Sequence, residues 1–364
     1  MDPRDFDSET EAISPLLRDL YEINAVYRQG EELAFSLSWR YAPVKSRKLL
    51  EDRLRTAGYR YRLAEGDQLT LVVDPRRRLR IPPLNIILFA ATVLSVYLLP
   101  VLLANAGAPH LWAATLADLR RGAGLQFTAA LMSILLVHEM GHFIASRRRH
   151  IVTSWPYFLP APNLLGTFGA VIKSKSPFYN RRDLVEVGAA GPIAGWVVAL
   201  GWLIFGLTQS RWIPAGLVVP GEWAFGLEGE SLLMRAAVQA LVGAPAPEHF
   251  LKLSEGAFAG WVGLLVTAMN LLPIGQFDGG HVLYGLFRRA QHVLGMIGLA
   301  ALLVLGYFSP FWWLFGAFGL LFGVKHPPTL DDDRPLSPTA RRMGIAAIVI
   351  MALSFTPMPF PSPF

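Results

Sequence analysis

Residues 138 to 142 read His-Glu-Met-Gly-His. Two histidines four positions apart lie on one face of a helix, where their imidazoles can share a zinc ion. Glu139 stands beside them, placed to act as general base toward a water at that metal. The motif sits inside an apolar run from Leu125 to Ala145. A run of roughly 20 residues is enough to cross a bilayer. Charged side chains at that depth cost ~2.5–3.5 kcal/mol each on insertion scales, so three ionisable groups in one span call for a function. The chemistry indicated is metal-assisted hydrolysis within a membrane. The chain has no cysteine, so any zinc must use His, Asp or Glu.

A catalytic zinc takes three protein ligands and keeps one position open. The strongest third candidate is Asp278, in Asn270-Leu271-Leu272-Pro273-Ile274-Gly275-Gln276-Phe277-Asp278-Gly279-Gly280-His281. It follows the inner end of an apolar span. His142 lies five residues before Arg147, or roughly 7.5 Å along a helix, so both elements reach one depth on one side. The two glycines after Asp278 allow a sharp turn and close packing. His281 is a rival ligand, read mainly as an interfacial histidine or as a partner that orients a ligand. Asn270 is a candidate buried amide in an apolar span, able to hydrogen-bond a substrate backbone or a developing oxyanion, or to join helices.

The positioning elements follow from composition and charge. Of 364 residues, 53% are hydrophobic and 16% charged, against about 25% charged in an ordinary soluble domain. The expected fold is a polytopic α-helical membrane protein of about seven spans, behind a small soluble α+β domain at residues 1–80. In that domain a helix is expected over Glu11–Tyr27, a strand over Glu32–Trp39 and a helix over Val44–Ala57, with Leu49, Leu50 and Leu54 at helical spacing. A hairpin of Arg60–Ala64 and Leu69–Val73 closes the order α-β-α-β-β. The acidic start of the chain lacks the apolar stretch of a signal peptide.

Spans are expected at Ile81–Leu103, at the motif-bearing run, at Val187–Leu207, at Ala257–Leu272, as two short segments within Val293–Val324, and at Met343–Phe355. Arg76-Arg77-Arg78-Leu79-Arg80, Arg147-Arg148-Arg149, Arg288-Arg289 and the basic residues of 325–342 all fall on one side. By the positive-inside rule that side, with the N-terminal domain, is cytoplasmic. Residues 208–254 face out, with an amphipathic Ser231–Val242 suited to the interface. The net charge of +6 reports this topology; it is not read as a nucleic-acid surface. Asp331-Asp332-Asp333 reads as a solvated loop. No internal repeat is evident.

With the His motif and the Asn270…Pro273…Asp278-Gly279-Gly280 segment in hand, the chain resembles the site-2 proteases, intramembrane zinc metalloproteases of the peptidase M50 type. Gly166-Thr167-Phe168-Gly169-Ala170-Val171-Ile172 and Gly188-Ala189-Ala190-Gly191-Pro192-Ile193-Ala194-Gly195 fall between the two motifs in the family's order. His326-Pro327-Pro328 and a final short span are similar to archaeal, bacterial and chloroplast members without a PDZ domain. The resemblance covers roughly 81–360, with a catalytic core at about 122–290. Gln276-Phe277 departs from a Leu that many relatives carry before the Asp. The resemblance implies one zinc per chain held by His138, His142 and Asp278, with Glu139 as base. It also implies cleavage of a transmembrane protein substrate near the cytoplasmic face.

Gly166–Ile172 reads as a re-entrant strand whose edge pairs with an unwound substrate, so Gly166, Thr167, Phe168, Gly169 and Ala170 join Asn270 as candidate substrate-binding residues. Gly188, Gly191 and Gly195 read as a close helix-packing face. The N-terminal domain, without a histidine, reads as a docking domain for a regulatory protein or a second copy. The expected setting is a multi-pass protein in a bilayer, most simply a prokaryotic inner membrane. A catalytically silent scaffold is a rival that the full ligand set argues against. A metal transporter is another, and the absence of repeats argues against it.

Overall fold

The structure, a computed structural model, describes residues 3–40, 43–65, 69–74, 81–217, 224–227, 229–244 and 247–359. The basic cluster at 76–80, the turn at 66–68, and Glu222 and Glu228 of the expected outer loop lie outside these residues.

The N-terminal domain begins with α1 (Pro3–Ile13) and a short 3-10 turn, then β1 (Tyr21–Gln29), β2 (Glu32–Trp39), α2 (Pro43–Ala57), β3 (Arg60–Glu65) and β4 (Leu69–Asp74). The strands form one antiparallel sheet in the order β1-β2-β4-β3. This corrects the expected helix over Glu11–Tyr27. The helix ends at Ile13, and Tyr21 opens a strand paired with β2 through a turn in which Gly30 takes φ +62, a conformation glycine adopts at little cost. The order is therefore α-β-β-α-β-β. The face of α2 is carried by fully buried Leu50 and Leu54, whereas Leu49 points outward.

The membrane-embedded part runs α3 (Pro83–Ala104), α4 (Leu111–Arg120), α5 (Leu125–Arg148), β5 (Tyr157–Pro160), β6 (Thr167–Val171), α6 (Arg181–Leu207), β7 (Arg211–Pro214), β8 (Ala224–Phe225), α7 (Leu232–Leu241), β9 (His249–Lys252), α8 (Glu255–Asn270), α9 (Asp278–Phe287), α10 (Ala290–Phe308), α11 (Phe311–Phe322) and α12 (Pro338–Ser354). Among the described residues four helices are long and apolar enough to cross a membrane: α3, α5, α6 and α10. The other expected spans fall on α8, α11 and α12, of 16, 12 and 17 residues. The break at Ser309-Pro310 separates α10 from α11, and the two pack together as a hairpin. The 208–254 loop holds structure that its composition did not announce, a three-stranded sheet in the order β7-β9-β8. The expected amphipathic segment within it is α7, with Ser231 accepting from the Met234 N–H as N-cap and Met234 and Val238 buried.

Helices α5, α6 and α8 make the closest packing in the molecule. Their register is pinned at one end by Glu255. Its two carboxylate oxygens accept from the backbone N–H groups of Gly124, at 2.7 Å, and Phe127, at 3.2 Å. A carboxylate of α8 thus satisfies orphan donors at the start of α5, where negative charge is favoured. Both helices run from this shared end. At 1.5 Å per residue, His138 lies roughly 20 Å and Asn270 roughly 22 Å beyond it, so they arrive level.

The other end of the bundle gathers the basic segments. Arg181 donates to the Asp332 carbonyl at 2.8 Å and to the Gly285 carbonyl at 3.1 Å, and Arg288 pairs with Asp333 at 2.9 Å. The N-terminal domain docks here. Arg53, 1% exposed, grips Asp19 with both terminal nitrogens at 2.6 and 2.7 Å and donates to the Lys175 carbonyl at 3.0 Å. Arg147 donates to the Thr56 carbonyl at 3.2 Å, and Val152 completes the domain's apolar core.

Candidate metal centre

The site is assembled by three helices whose start points or neighbours are fixed by sequence. His138 and His142 are one turn apart on α5. Asp278 is the first residue of α9, a separate short helix joined to the end of α8 by residues 271–277. Three side-chain donor atoms converge. His138 Nε2 and His142 Nε2 are 3.2 Å apart, and Asp278 Oδ2 lies 3.5 Å from the first and 3.2 Å from the second. Among the described residues this is the group of His, Cys, Asp or Glu with donor atoms close enough to share a metal ion. Zinc bonds of about 2.0–2.1 Å at the tetrahedral angle separate two ligand atoms by roughly 3.3–3.4 Å. The observed triangle matches one face of that tetrahedron. Two imidazoles and a carboxylate, with no thiolate, make a set of the catalytic rather than the structural kind.

The ring of His142 is oriented by its neighbour helix. Its Nδ1 donates to the Val187 carbonyl at 2.8 Å, which leaves the Nε2 lone pair toward Asp278. The rings also need room. A Cβ at Gly191 would lie 2.1 Å from His142 Nε2, and one at Gly195 would lie 2.9 Å from His138 Cβ. Gly191 and Gly195 of α6 are therefore seats for the two imidazoles. The sequence reading took them as helix packing, and the signal that could have separated the roles was their four-residue spacing, the same as that of the histidines.

Glu139 is 7% exposed and faces the same cavity, of about 260 Å³. Its carboxylate makes no ion pair among the described residues. Asn270 closes the opposite wall, with its amide nitrogen 3.4 Å from His138 Nε2. Position alone thus places the amide beside the metal-binding triangle. His281, the rival ligand, lines the cavity, but its Nδ1 is 2.6 Å from His326 Nε2. It stands outside the converging triad. The acidic run is occupied as an anchor: Asp332 accepts from the hydroxyls of Thr329 and Tyr284, and Asp333 pairs with Arg288.

Strands β5 and β6 form a two-stranded hairpin, with Tyr157 opposite Val171 and Phe158 opposite Ala170. Among the described residues β6 pairs on one side only. The residues that line the cavity are Ala170, Val171 and Ile172. The expected substrate-binding stretch divides here. Gly166, at φ +76, turns against α3, where a Cβ would come within 2.5 Å of the Val96 backbone. Thr167 is buried and its hydroxyl donates to the Leu159 carbonyl at 2.8 Å. Both hold the hairpin and lie away from the cavity. Phe168 is 74% exposed, and Gly169 follows at φ +90 with its N–H donating to the Thr167 hydroxyl. Of the candidates first considered in this segment, Ala170 alone reaches the cavity.

Comparison with known proteins extends this geometry to a lineage. The profile of Peptidase family M50 matches residues 126–305, the stretch that carries α5, α6, α8 and the Asp278 turn. That stretch is a peptidase family M50 domain, the domain of the site-2 proteases. Curated members similar to it include the probable zinc metalloprotease EGY1, chloroplastic, of Arabidopsis thaliana, 30% identical over 252 residues that make up 65% of this chain and 43% of that one. The probable zinc metalloprotease EGY2, chloroplastic, of Oryza sativa subsp. indica is 29% identical over 247 residues, again 65% and 43%. The EGY1 protein of Oryza sativa subsp. japonica is 31% identical over 233 residues, 63% of this chain and 40% of the relative. The chain spans less than half the length of these M50 relatives. No solved structure matches it.

Proposed function

We propose that this chain is an intramembrane zinc endopeptidase that cuts transmembrane segments of membrane proteins near the cytoplasmic face. The observation that carries the reading is the convergence of His138, His142 and Asp278 donor atoms at 3.2–3.5 Å, beside a carboxylate without an ion pair and a strand edge without a neighbour among the described residues. We assign those three residues as ligands of one zinc per chain. The bound metal supplies Lewis acidity toward the scissile carbonyl and the attacking water.

The chain's own residues supply the rest. Glu139 takes the proton of the attacking water at its carboxylate and hands it to the departing amine, the work of one group serving first as base and then as acid. The Asn270 amide, placed beside His138, donates to the carbonyl oxygen as it gains charge. The free edge of β6 at Ala170–Ile172 receives the substrate as an added strand. A helix must unwind to expose a peptide bond, and its freed N–H and C=O groups need partners where water is scarce. Main-chain pairing provides them with little demand on side chains, which suits loose sequence preference.

The basic end of the bundle, with the N-terminal domain docked on it, faces the cytoplasm in this reading, and the 208–254 loop faces out. The depth of Asp278 then puts the cut near the cytoplasmic face. The reading is tested by reconstituting the purified chain with a single-span membrane protein and following cleavage with and without a zinc chelator. Chelator-sensitive cleavage inside the span is the expected result. Cleavage that persists in the chelator and in Glu139→Gln would overturn it.

A further inference from the structure

A second cavity, of about 390 Å³, opens where the N-terminal domain, the end of α5, the start of α6 and the loop before α12 meet. It contains none of the residues of the metal centre. Its walls carry five arginines from four stretches of the chain: Arg18, the adjacent Arg148 and Arg149, Arg182 and Arg334. Two of them are already committed. Arg149 and Arg182 both donate to the buried carboxylate of Glu186, which also accepts from the Ser337 hydroxyl at 3.3 Å. Asp183 stands 3.7 Å from Arg149, and Glu11 is the remaining acid at the wall.

That leaves Arg18, Arg148 and Arg334. All three are exposed, and among the described residues none of their guanidinium groups makes a hydrogen bond or a close ion pair with a carboxylate, Arg334 acting on Asp183 only through longer-range attraction. Five arginines against three carboxylates leave an excess of two positive charges around one concavity. Like charges gathered this way repel one another. Arginine forks also match phosphate oxygens in geometry, two N–H groups to two oxygens. The uncommitted arginines come from three separate parts of the chain, so a single anion would satisfy all three and tie those parts together.

We propose that this cavity is a binding site for a phosphate-bearing anion, carrying about two negative charges, that clamps the N-terminal domain to the end of α5 and to the loop before α12. The phosphate could be borne by a lipid headgroup reaching the edge of the bilayer or by a small soluble ligand, and the chemistry of the site is the same for both. The inference does not depend on the peptidase reading, since none of its residues touches the metal centre.

The test uses the full chain and a variant in which Arg18, Arg148 and Arg334 are all replaced by glutamine. These side chains are exposed and lie outside the apolar cores, so the variant retains the fold. Thermal unfolding midpoints are measured with two probes. The first is pyrophosphate, titrated into protein held in a neutral detergent. The second is phosphatidic acid, added to phosphatidylcholine vesicles that hold the protein. A saturable rise in the wild-type midpoint with pyrophosphate supports a soluble ligand. A rise with phosphatidic acid but not with pyrophosphate supports a headgroup. In either case the glutamine variant is expected to bind the effective probe at least about tenfold more weakly, the scale of one lost charge-assisted hydrogen bond. No rise with either probe, or an equal rise in the variant, overturns the proposal.

Discussion

Two buried carboxyl groups, Glu139 within α5 and Glu230 just before α7, are built differently. Glu139 is 7% exposed and Glu230 is 9% exposed. Glu139 looks into a cavity, next to the His138–His142–Asp278 triangle, with no ion pair among the described residues. Glu230 is instead held by hydrogen bonds. The Trp261 indole N–H donates to it at 2.8 Å, and the Ser231 backbone N–H adds a second bond. Burial pushes the Glu230 carboxyl up to about 7, partly offset by those two donors. In the proposed mechanism one acid is held ready for a reactant, while the other is tied into the fold by its two donors. The difference teaches that burial alone does not mark a catalytic acid. What marks it is burial together with free space and convergent chemistry.

The largest effect should come from the first member of the pair. Glu139→Gln keeps shape and removes the base, so cleavage should fall by at least ~10²-fold while the protein still purifies folded. Wild-type turnover in that variant would erase the contrast between the two acids. Gly191→Ala comes next. The new methyl would overlap His142 Nε2 at 2.1 Å, so the ring must leave its seat. Loss of such support typically costs about 10–100-fold in metal affinity, measurable by competition with a chromogenic chelator. An unchanged affinity would mean that α6 does not hold the ring.

A smaller effect is expected at the strand edge. N–H groups of a strand alternate sides, so proline at either Ala170 or Val171, but not both, should remove a donor that faces the substrate. That variant should lose cleavage with zinc content intact, and the loss should shrink for substrates that already carry helix breakers near the cut. No change from either proline would make the segment packing alone.

The smallest effect belongs to Glu230. Its folded-state value lies above the ordinary carboxyl value of 4.5, so the folded protein holds a proton that the unfolded chain releases. Stability should therefore be highest below about 4.5 for this group and decline as pH rises toward 7. Glu230→Gln should flatten that slope and leave cleavage unaffected. A wild-type slope in the variant would show that the carboxyl is not protonated in the folded state.

Much of the metal centre was legible because its signal is chemical and local. His138 and His142 declare a shared face by spacing, and an acid inside an apolar stretch makes Asp278 the strongest third candidate, with His281 as its rival. The supports were less legible because they are contacts between distant segments. Glu255 capping α5 is a long-range hydrogen bond, and nothing in Ser254-Glu255-Gly256 names its partner. Gly191 and Gly195 were visible as small residues, but which rings they seat depends on the crossing of α5 and α6. In the N-terminal domain, Glu11–Tyr27 read as a helix because β1 is an edge strand. Its burial is irregular, with a register shift between Ile23 and Ala25, so the period-2 pattern that marks a strand is blurred. The cavity of arginines was hidden for the same reason as the supports. Arg148, Arg149 and Arg334 read as topology signals, Arg18 and Arg182 carry no signal of their own, and only the fold brings the five to one place.

The most direct test of the account is the metal content of the purified full chain, read by elemental analysis beside two variants. One zinc per chain is predicted for the wild type and for Glu139→Gln, and a marked loss for Asp278→Ala. Full zinc retention in Asp278→Ala would contradict the assignment of the metal to the His138–His142–Asp278 triangle.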